Sequence, residues 1–181
     1  MAEGIAGSEE RRAPPPVVAI VGRSGAGKTK LLCELVRRLR VLGHEVHTVK
    51  HAPELREIDS TGSDSELHRR AGARRTLLVG AEDAALFWSH EGDEALVEAI
   101  PPITEGASIV LVEGGKRSPY PKIEVYRRDA SWPEGPLAGE VDVLAVVTDD
   151  PVAVPDSVGV IRCADVDCVV ELVEELIEER R

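Results

Sequence analysis

The chain has 181 residues, of which 43% are hydrophobic and 30% charged, the composition of a globular protein large enough to bury a core. Its formal net charge of −11 excludes general nucleic-acid binding, which needs a broad basic surface. Apolar runs stay short of the ~20 residues that cross a bilayer, and no signal-peptide pattern opens the chain, so we expect no membrane association. The three cysteines follow no recognised metal pattern, which favours reduced thiols in a cytoplasmic protein.

The chain begins with small residues, charges and prolines in residues 1–16, which predict a flexible N-terminal arm. Residues 17–181 are expected to form a single domain. The apolar run VVAIV at residues 17–21 predicts a buried first strand. Directly after it, GRSGAGKT at residues 22–29 matches G-x-x-x-x-G-K-[ST], the phosphate-binding P-loop.

The residue types of this loop suit a phosphate chain. Glycines permit positive φ and a close approach of the backbone, and consecutive N–H groups at a helix start form an anion nest. Lys28 neutralises the β- and γ-phosphates, and the Thr29 hydroxyl can ligate Mg²⁺. The motif therefore predicts a bound nucleoside triphosphate or diphosphate. The expected nucleotide-binding residues of the loop are Gly22, Ser24, Gly25, Ala26, Gly27, Lys28, Thr29 and Lys30.

The next segments predict a helix, a strand and a loop. Residues 28–42 place leucines and valines at helical spacing, and Gly43 is suited to end that helix. Residues 45–50, EVHTVK, alternate polar and apolar side chains and predict a second strand. The following loop contains D-x-x-G from Asp59, which is either a γ-phosphate switch near Mg²⁺ or a plain turn built from Asp, Ser and Gly.

A short helix with a basic cluster is predicted next. Residues 64–73 form this helix, capped by Ser63 or Asp64. The cluster either binds a polyanionic ligand or forms a solvated helix face in which Glu66 pairs with Arg70. Its members are His68, Arg69, Arg70, Arg74 and Arg75.

The middle of the chain predicts two short strands, at residues 76–79 and 84–88, and a helix capped by Asp93 that ends at Ile100. The apolar run that follows ends in Glu113, as a Walker B strand does. Glu113 is then expected to hold Mg²⁺ or its water. The alternative is a buried strand that merely ends in a surface glutamate.

The last third predicts a half-buried strand at residues 121–126, because polar and apolar side chains alternate there. Further strands are expected at residues 143–147 and 158–161. A C-terminal amphipathic helix should start at Asp165 or Asp167. Strands alternating with helices predict an α/β fold, a P-loop NTPase whose mostly parallel sheet is flanked by helices, with some antiparallel strands.

Five segments, in this order, resemble the molybdopterin-guanine dinucleotide biosynthesis adapter protein family, MobB. They are GRSGAGKTKLL (22–32), VKHA (49–52), DSTGSDSELHRRAGA (59–73), LVEGGK (111–116) and PKIEVYR (121–127). The resemblance implies a GTP-binding protein with weak GTPase activity. It also implies a homodimer that assists a nucleotidyltransferase of the molybdopterin guanylyltransferase type, which attaches GMP to molybdopterin.

Site residues follow from the resemblance by position. Lys28, Glu113 and Asp59 are the expected catalytic residues, and Thr29 and Glu113 would serve Mg²⁺. Asp64 and Arg69 or Arg70 would face nucleotide or pterin.

The choice of GTP over ATP rests on the resemblance, because residues 148–150, Thr-Asp-Asp, lack the lysine of the guanine-reading [NT]-K-x-D motif. The alternative function is a small-molecule kinase, in which the arginines at positions 69, 70, 74 and 75 would form a lid. A metal-insertion GTPase would need ligands near the nucleotide, and Cys163 and Cys168 lie elsewhere in the chain.

Overall fold

The computed structural model describes residues 13–55, 57–88, 95–128 and 135–180. Contacts divide the chain into two compact units, one formed by residues 1–50 and 102–181 and the other by residues 51–101. The single domain expected over residues 17–181 stays a prediction, and most of the expected N-terminal arm lies outside the described residues. None of the described helices is long and apolar enough to cross a membrane.

The described strands, in chain order, are β1 (Val17–Val21), β2 (Val46–Lys50), β3 (Arg75–Val79), β4 (Ala84–Trp88), β5 (Ile109–Glu113), β6 (Lys122–Val125), β7 (Ala145–Val147) and β8 (Gly159–Ile161). The described α-helices are α1 (Lys28–Val41), α2 (Asp64–Arg70), α3 (Ala95–Ala99) and α4 (Val166–Glu178). Short 3₁₀ turns occupy Pro101–Ile103 and Leu137–Gly139. The elements predicted from the sequence agree with these bounds to within about three residues, except that Asp93, the expected cap of α3, lies outside the described residues.

A six-stranded sheet forms the centre of the first unit, in the order β2-β5-β1-β6-β7-β8. Every neighbouring pair in it is parallel. The predicted α/β fold with a mostly parallel sheet is therefore confirmed. Because all six strands run the same way, their carboxyl ends lie at one edge, where ligands of open α/β sheets bind.

The core of the first unit lies between this sheet and two helices. Residues of β1 and β5 such as Val18, Ile20 and Leu111 are fully buried. The apolar stripes of α1 and α4 join the same hydrophobic cluster. On α4, Val169, Val173 and Ile177 are buried and Leu172 and Leu176 are partly buried, which agrees with the predicted amphipathic helix. Helix α1 therefore packs against the core directly after the glycine-rich loop.

Strand β6 corrects one expectation. The sequence predicted a half-buried strand, but all four of its residues are buried, including Lys122 and Glu124. The strand lies inside the sheet, between β1 and β7. The buried ammonium group of Lys122 has hydrogen-bond partners inside the protein: its Nζ donates to the carbonyl oxygens of Ser118 at 2.7 Å and Tyr120 at 2.9 Å. Alternation of polar residues here reflects hydrogen bonding inside the protein and not a solvent-facing side.

The second unit contains α2, α3 and the antiparallel pair β3–β4, which is paired from Arg75 with Trp88 to Val79 with Ala84. Ser63 is the cap of α2, since its Oγ accepts a hydrogen bond from Glu66 N at 3.2 Å. This decides between the two predicted caps.

Candidate functional site

The P-loop joins β1 to α1 at the carboxyl edge of the sheet. Gly22, Gly25 and Gly27 have φ values of 140°, 76° and 108°, and the last of these caps α1. The first helical hydrogen bond runs from Leu31 N to Gly27 O at 3.1 Å. Helix geometry therefore leaves the N–H groups of residues 28–30 without an acceptor inside the helix, available to an anion.

Exposure varies among the predicted loop residues. Ser24, Gly25, Thr29 and Lys30 are exposed, Gly22, Gly27 and Lys28 are half-buried, and Ala26 is buried. The exposed and half-buried positions lie on the solvent-facing side of the loop. Ala26 instead packs into the hydrophobic core and so fixes the loop against it.

Thr29 and Glu113 meet at this edge. Glu113 ends β5 and pairs in register with Ile20 of β1. The Thr29 hydroxyl donates to Glu113 Oε1 at 2.9 Å, and the Glu113 side chain is only 15% exposed. Hydroxyl and carboxylate oxygens are ligands that Mg²⁺ accepts, together with water and phosphate oxygens. The donor set present here fits the magnesium ion that the motif implies.

The side chain of Lys28 contacts the backbone of its own loop. Its Nζ donates to Arg23 O at 2.8 Å. Burial lowers the pKa of Lys28 below its usual value; the charge of Glu113 opposes this change and that of Lys50 adds to it. The ammonium group is thus partly desolvated and donates to the carbonyl oxygen of Arg23, a contact that a bound phosphate can replace.

The structure also brings Lys50 to this site, where the sequence predicted no role for it. Lys50 ends β2 and pairs in register with Glu113 on β5. Its Nζ lies 3.8 Å from Glu113 Oε1, the same oxygen that accepts from Thr29. The signal available in the sequence was a lysine at the end of a predicted strand.

Glu124 is a second residue that sequence reasoning missed. It is 1% exposed, and its carboxylate accepts the N–H groups of Leu137 at 2.7 Å and Ala138 at 3.0 Å. Burial raises the pKa of Glu124, and these two hydrogen bonds, with the charges of Arg23 and Lys116, oppose the rise. The carboxylate fastens residues 137–139 to the strand that supports the P-loop.

Asp59 and Arg69 meet in the second unit. Asp59 Oδ2 accepts from Ser65 Oγ at 2.7 Å and from Arg69 at 2.9 Å, and Oδ1 accepts from Ser60 N at 2.9 Å. The hydrogen bond from Ser65 is the largest cause of the lowered pKa of Asp59; burial opposes it, and the hydrogen bond from Arg69 adds to the lowering. The Arg69 guanidinium lies 4.7 Å from the centre of the Phe87 ring. Both predicted site residues therefore hold the second unit together locally.

The other members of the predicted segment are more exposed. Asp64 lies exposed in the first turn of α2, and Arg70 pairs with Glu66 at 2.8 Å, as the solvated-face alternative predicted. Two of the four arginines of the hypothetical kinase lid, Arg69 and Arg70, are thus engaged in ion pairs.

Residues 148–150 form a turn whose carboxylates hold neighbouring backbone. Asp149 Oδ1 accepts from Cys163 N at 3.1 Å, and Asp150 Oδ2 accepts from Arg128 N at 2.7 Å. Within the described ranges, no group of three or more His, Cys, Asp or Glu side chains is arranged to hold a metal ion. Nothing among these residues favours the metal-insertion alternative.

The chain is similar to a known protein family and to several of its members. Residues 17–149 match the model of the family described as molybdopterin guanine dinucleotide synthesis protein B. The molybdopterin-guanine dinucleotide biosynthesis adapter protein of Haemophilus influenzae is 32% identical over 142 residues, which cover 77% of this chain and 78% of that protein. The Escherichia coli adapter protein is 29% identical over 168 residues, covering 91% and 95%.

Solved structures show the same fold. The crystal structure of Bacillus subtilis MobB has a TM-score of 0.65 at 20% identity and covers 89% of this chain and 97% of that one. A crystal structure of molybdopterin-guanine biosynthesis protein B has a TM-score of 0.66 at 22% identity, covering 90% and 99%.

Proposed function

Because the chain belongs to the molybdopterin guanine dinucleotide synthesis protein B family, we propose that it is a GTP-binding accessory protein of molybdopterin guanine dinucleotide formation. In this role it binds GTP with Mg²⁺, hydrolyses it slowly, and acts as a homodimer that assists a nucleotidyltransferase. The names of the relatives support the pathway, and the P-loop supports the nucleotide.

The observation on which nucleotide binding rests is the 2.9 Å hydrogen bond between Thr29 and Glu113. A glycine-rich turn with an idle lysine would not need an acidic strand end beside it. Here the strand order places β5 next to β1, so that the hydroxyl of the loop and the carboxylate of the neighbouring strand share one small volume. This is the arrangement that binds a metal–nucleotide complex in P-loop proteins.

The residues of the site divide the work of binding. The N–H groups that open α1 bind phosphate oxygens, and Lys28 exchanges the carbonyl of Arg23 for the phosphate chain. Thr29 and Glu113 would hold Mg²⁺, which neutralises charge on the β- and γ-phosphates when it is bound. The Glu113 carboxylate is already engaged by Thr29 in this site and is poorly placed to activate water at the same time. Slow hydrolysis is consistent with that division.

Titration calorimetry of GTP and ATP with Mg²⁺ tests nucleotide binding. Wild-type protein should bind GTP more tightly than ATP, and Lys28→Ala should weaken GTP binding ~10-fold or more, because a charged hydrogen-bond donor to phosphate is lost. Arg37→Ala is the matched control: it removes the same charge from α1, at a side chain that is 70% exposed and paired with Glu34. Equal binding of GTP by wild type and Lys28→Ala would contradict the proposed site.

The accessory role is tested by turnover and by a partner. Alone, the protein should hydrolyse GTP slowly, and addition of a molybdopterin guanylyltransferase should produce a complex on gel filtration and faster formation of the dinucleotide. Fast multiple-turnover hydrolysis by the isolated protein would count against an accessory role.

A further inference from the structure

We propose that Lys50 is a second phosphate-binding lysine, which contacts the terminal phosphate of a bound nucleoside triphosphate. The inference rests on the proposed nucleotide site and adds a residue that distinguishes a triphosphate from a diphosphate.

The strand register brings Lys50 to the site. β2 and β5 pair in parallel through five residues, and the last pair is Lys50 with Glu113. Both side chains therefore leave the sheet at its carboxyl edge, where the P-loop also lies. Lys50 is 70% exposed, so its ammonium can move toward a ligand at little cost in lost contacts.

The position of the ammonium points to one end of the phosphate chain. Thr29 and Glu113 would hold the metal ion, which would supply positive charge at the terminal phosphates of a bound triphosphate. Lys50 Nζ lies 3.8 Å from the Glu113 oxygen that accepts from Thr29. Because this oxygen would also hold the metal ion, the Lys50 ammonium lies beside the expected metal site. A terminal phosphate bound at that site would be within reach of the Lys50 side chain.

The local charge balance supports the same role. The ammonium groups of Lys28 and Lys50 both lie near the carboxylate of Glu113. The carboxylate of Glu113 and the two ammonium groups together carry a formal charge of about +1, whereas Glu113 and Lys28 alone would be about neutral. The second cation gives the site an excess of positive charge, which favours the more highly charged nucleotide.

The test compares triphosphate with diphosphate binding in Lys50→Ala, Lys50→Arg and Arg37→Ala. Affinities for a non-hydrolysable GTP analogue and for GDP are measured by calorimetry with Mg²⁺. We expect Lys50→Ala to weaken the analogue ~10-fold and GDP less than about 2-fold, since one charged contact to the terminal phosphate is lost. Lys50→Arg should restore most of the difference, and Arg37→Ala, which removes an equal charge elsewhere, should leave both affinities unchanged.

An unchanged ratio of the two affinities in Lys50→Ala, whether both constants stay the same or both weaken equally, would overturn the proposed role of Lys50. That result leaves nucleotide binding through Lys28 intact. Failure of the wild-type protein to bind either nucleotide would instead overturn the proposed function, and the role of Lys50 with it.

Discussion

At the scale of single residues, Gly22 shows how closely the P-loop is fitted to the sheet. It follows β1 directly, with a φ of 140° that side chains rarely adopt. A Cβ built at this position would lie 2.2 Å from the carbonyl oxygen of Val125, at the end of β6. The absence of a side chain lets the loop pass against the neighbouring strand, so Gly22 has a packing role besides the flexibility expected of it.

Gly22→Ala should therefore destabilise the protein. We expect a loss of roughly 2–5 kcal/mol in the free energy of unfolding, from positive φ and from the forced displacement of backbone. Gly43→Ala is the control, because Gly43 has a φ of 88° but no atom within 4 Å of the added Cβ. Urea unfolding of both variants measures the difference, and an equal loss in the two would contradict a steric role for Val125 O.

At the scale of elements, β6 connects the P-loop to residues 137–139 through a buried acid. Glu124 is enclosed by the sheet and accepts two backbone N–H groups from the Leu137–Gly139 turn. A buried carboxyl without such partners would be costly, and the two hydrogen bonds compensate part of that cost. The Glu124 carboxyl therefore stabilises the Leu137–Gly139 turn, while burial within the sheet makes the ionisation of this carboxyl less favourable.

The pH dependence of Glu124 follows from the sign of its shift. Because its pKa is raised in the folded state, the folded protein binds the proton more tightly than the unfolded chain does. The stability contributed by this group is greatest below the ordinary glutamate pKa of about 4.3 and falls as pH rises toward the raised value. The free energy of unfolding of wild type, minus that of Glu124→Gln, should decrease over this range and then level off.

Urea unfolding between about pH 4 and 7 measures this difference and removes the contributions that both proteins share. Carboxyls with lowered pKa values, such as Asp59, change stability in the opposite direction, but they are common to both proteins. A difference that grows with pH would show that the hydrogen bonds to the ionised carboxylate outweigh its burial.

At the scale of the whole molecule, the formal net charge is −11, although the proposed nucleotide site itself is locally basic. Like charges spread over a chain of this size repel one another in the compact state. The exposed ion pairs of α1, such as Glu34 with Arg37, offset little of this, since isolated surface pairs contribute little.

Moderate salt should consequently stabilise the protein. Raising NaCl from about 20 to 200 mM screens the repulsion and should raise Tm by about 2–4 °C, the equivalent of ~1 kcal/mol in a chain of this length. Scanning fluorimetry at pH 7 measures the shift. The same titration near pH 5, close to the isoelectric point of about 5.0, should give a smaller shift. A fall in Tm with salt at pH 7 would mean that ion pairs outweigh net repulsion.

The sequence by itself determined the elements that depend on local patterns. The P-loop, α1 and the β5 strand ending at Glu113 were predictable, because glycine spacing and apolar periodicity express backbone needs that neighbours in sequence decide. The α/β fold followed from the alternation of such elements. The family resemblance was visible in five short segments, and the family match bears it out.

The tertiary structure alone decided what depends on strand order. β6 is buried on both sides because it lies between β1 and β7, which its own alternating residues do not reveal. Lys50 reaches Glu113 because β2 pairs with β5, although 63 residues separate the two in the chain. Register and strand order are set by burial summed over the whole sheet, so residues distant in sequence become neighbours only once the core has formed.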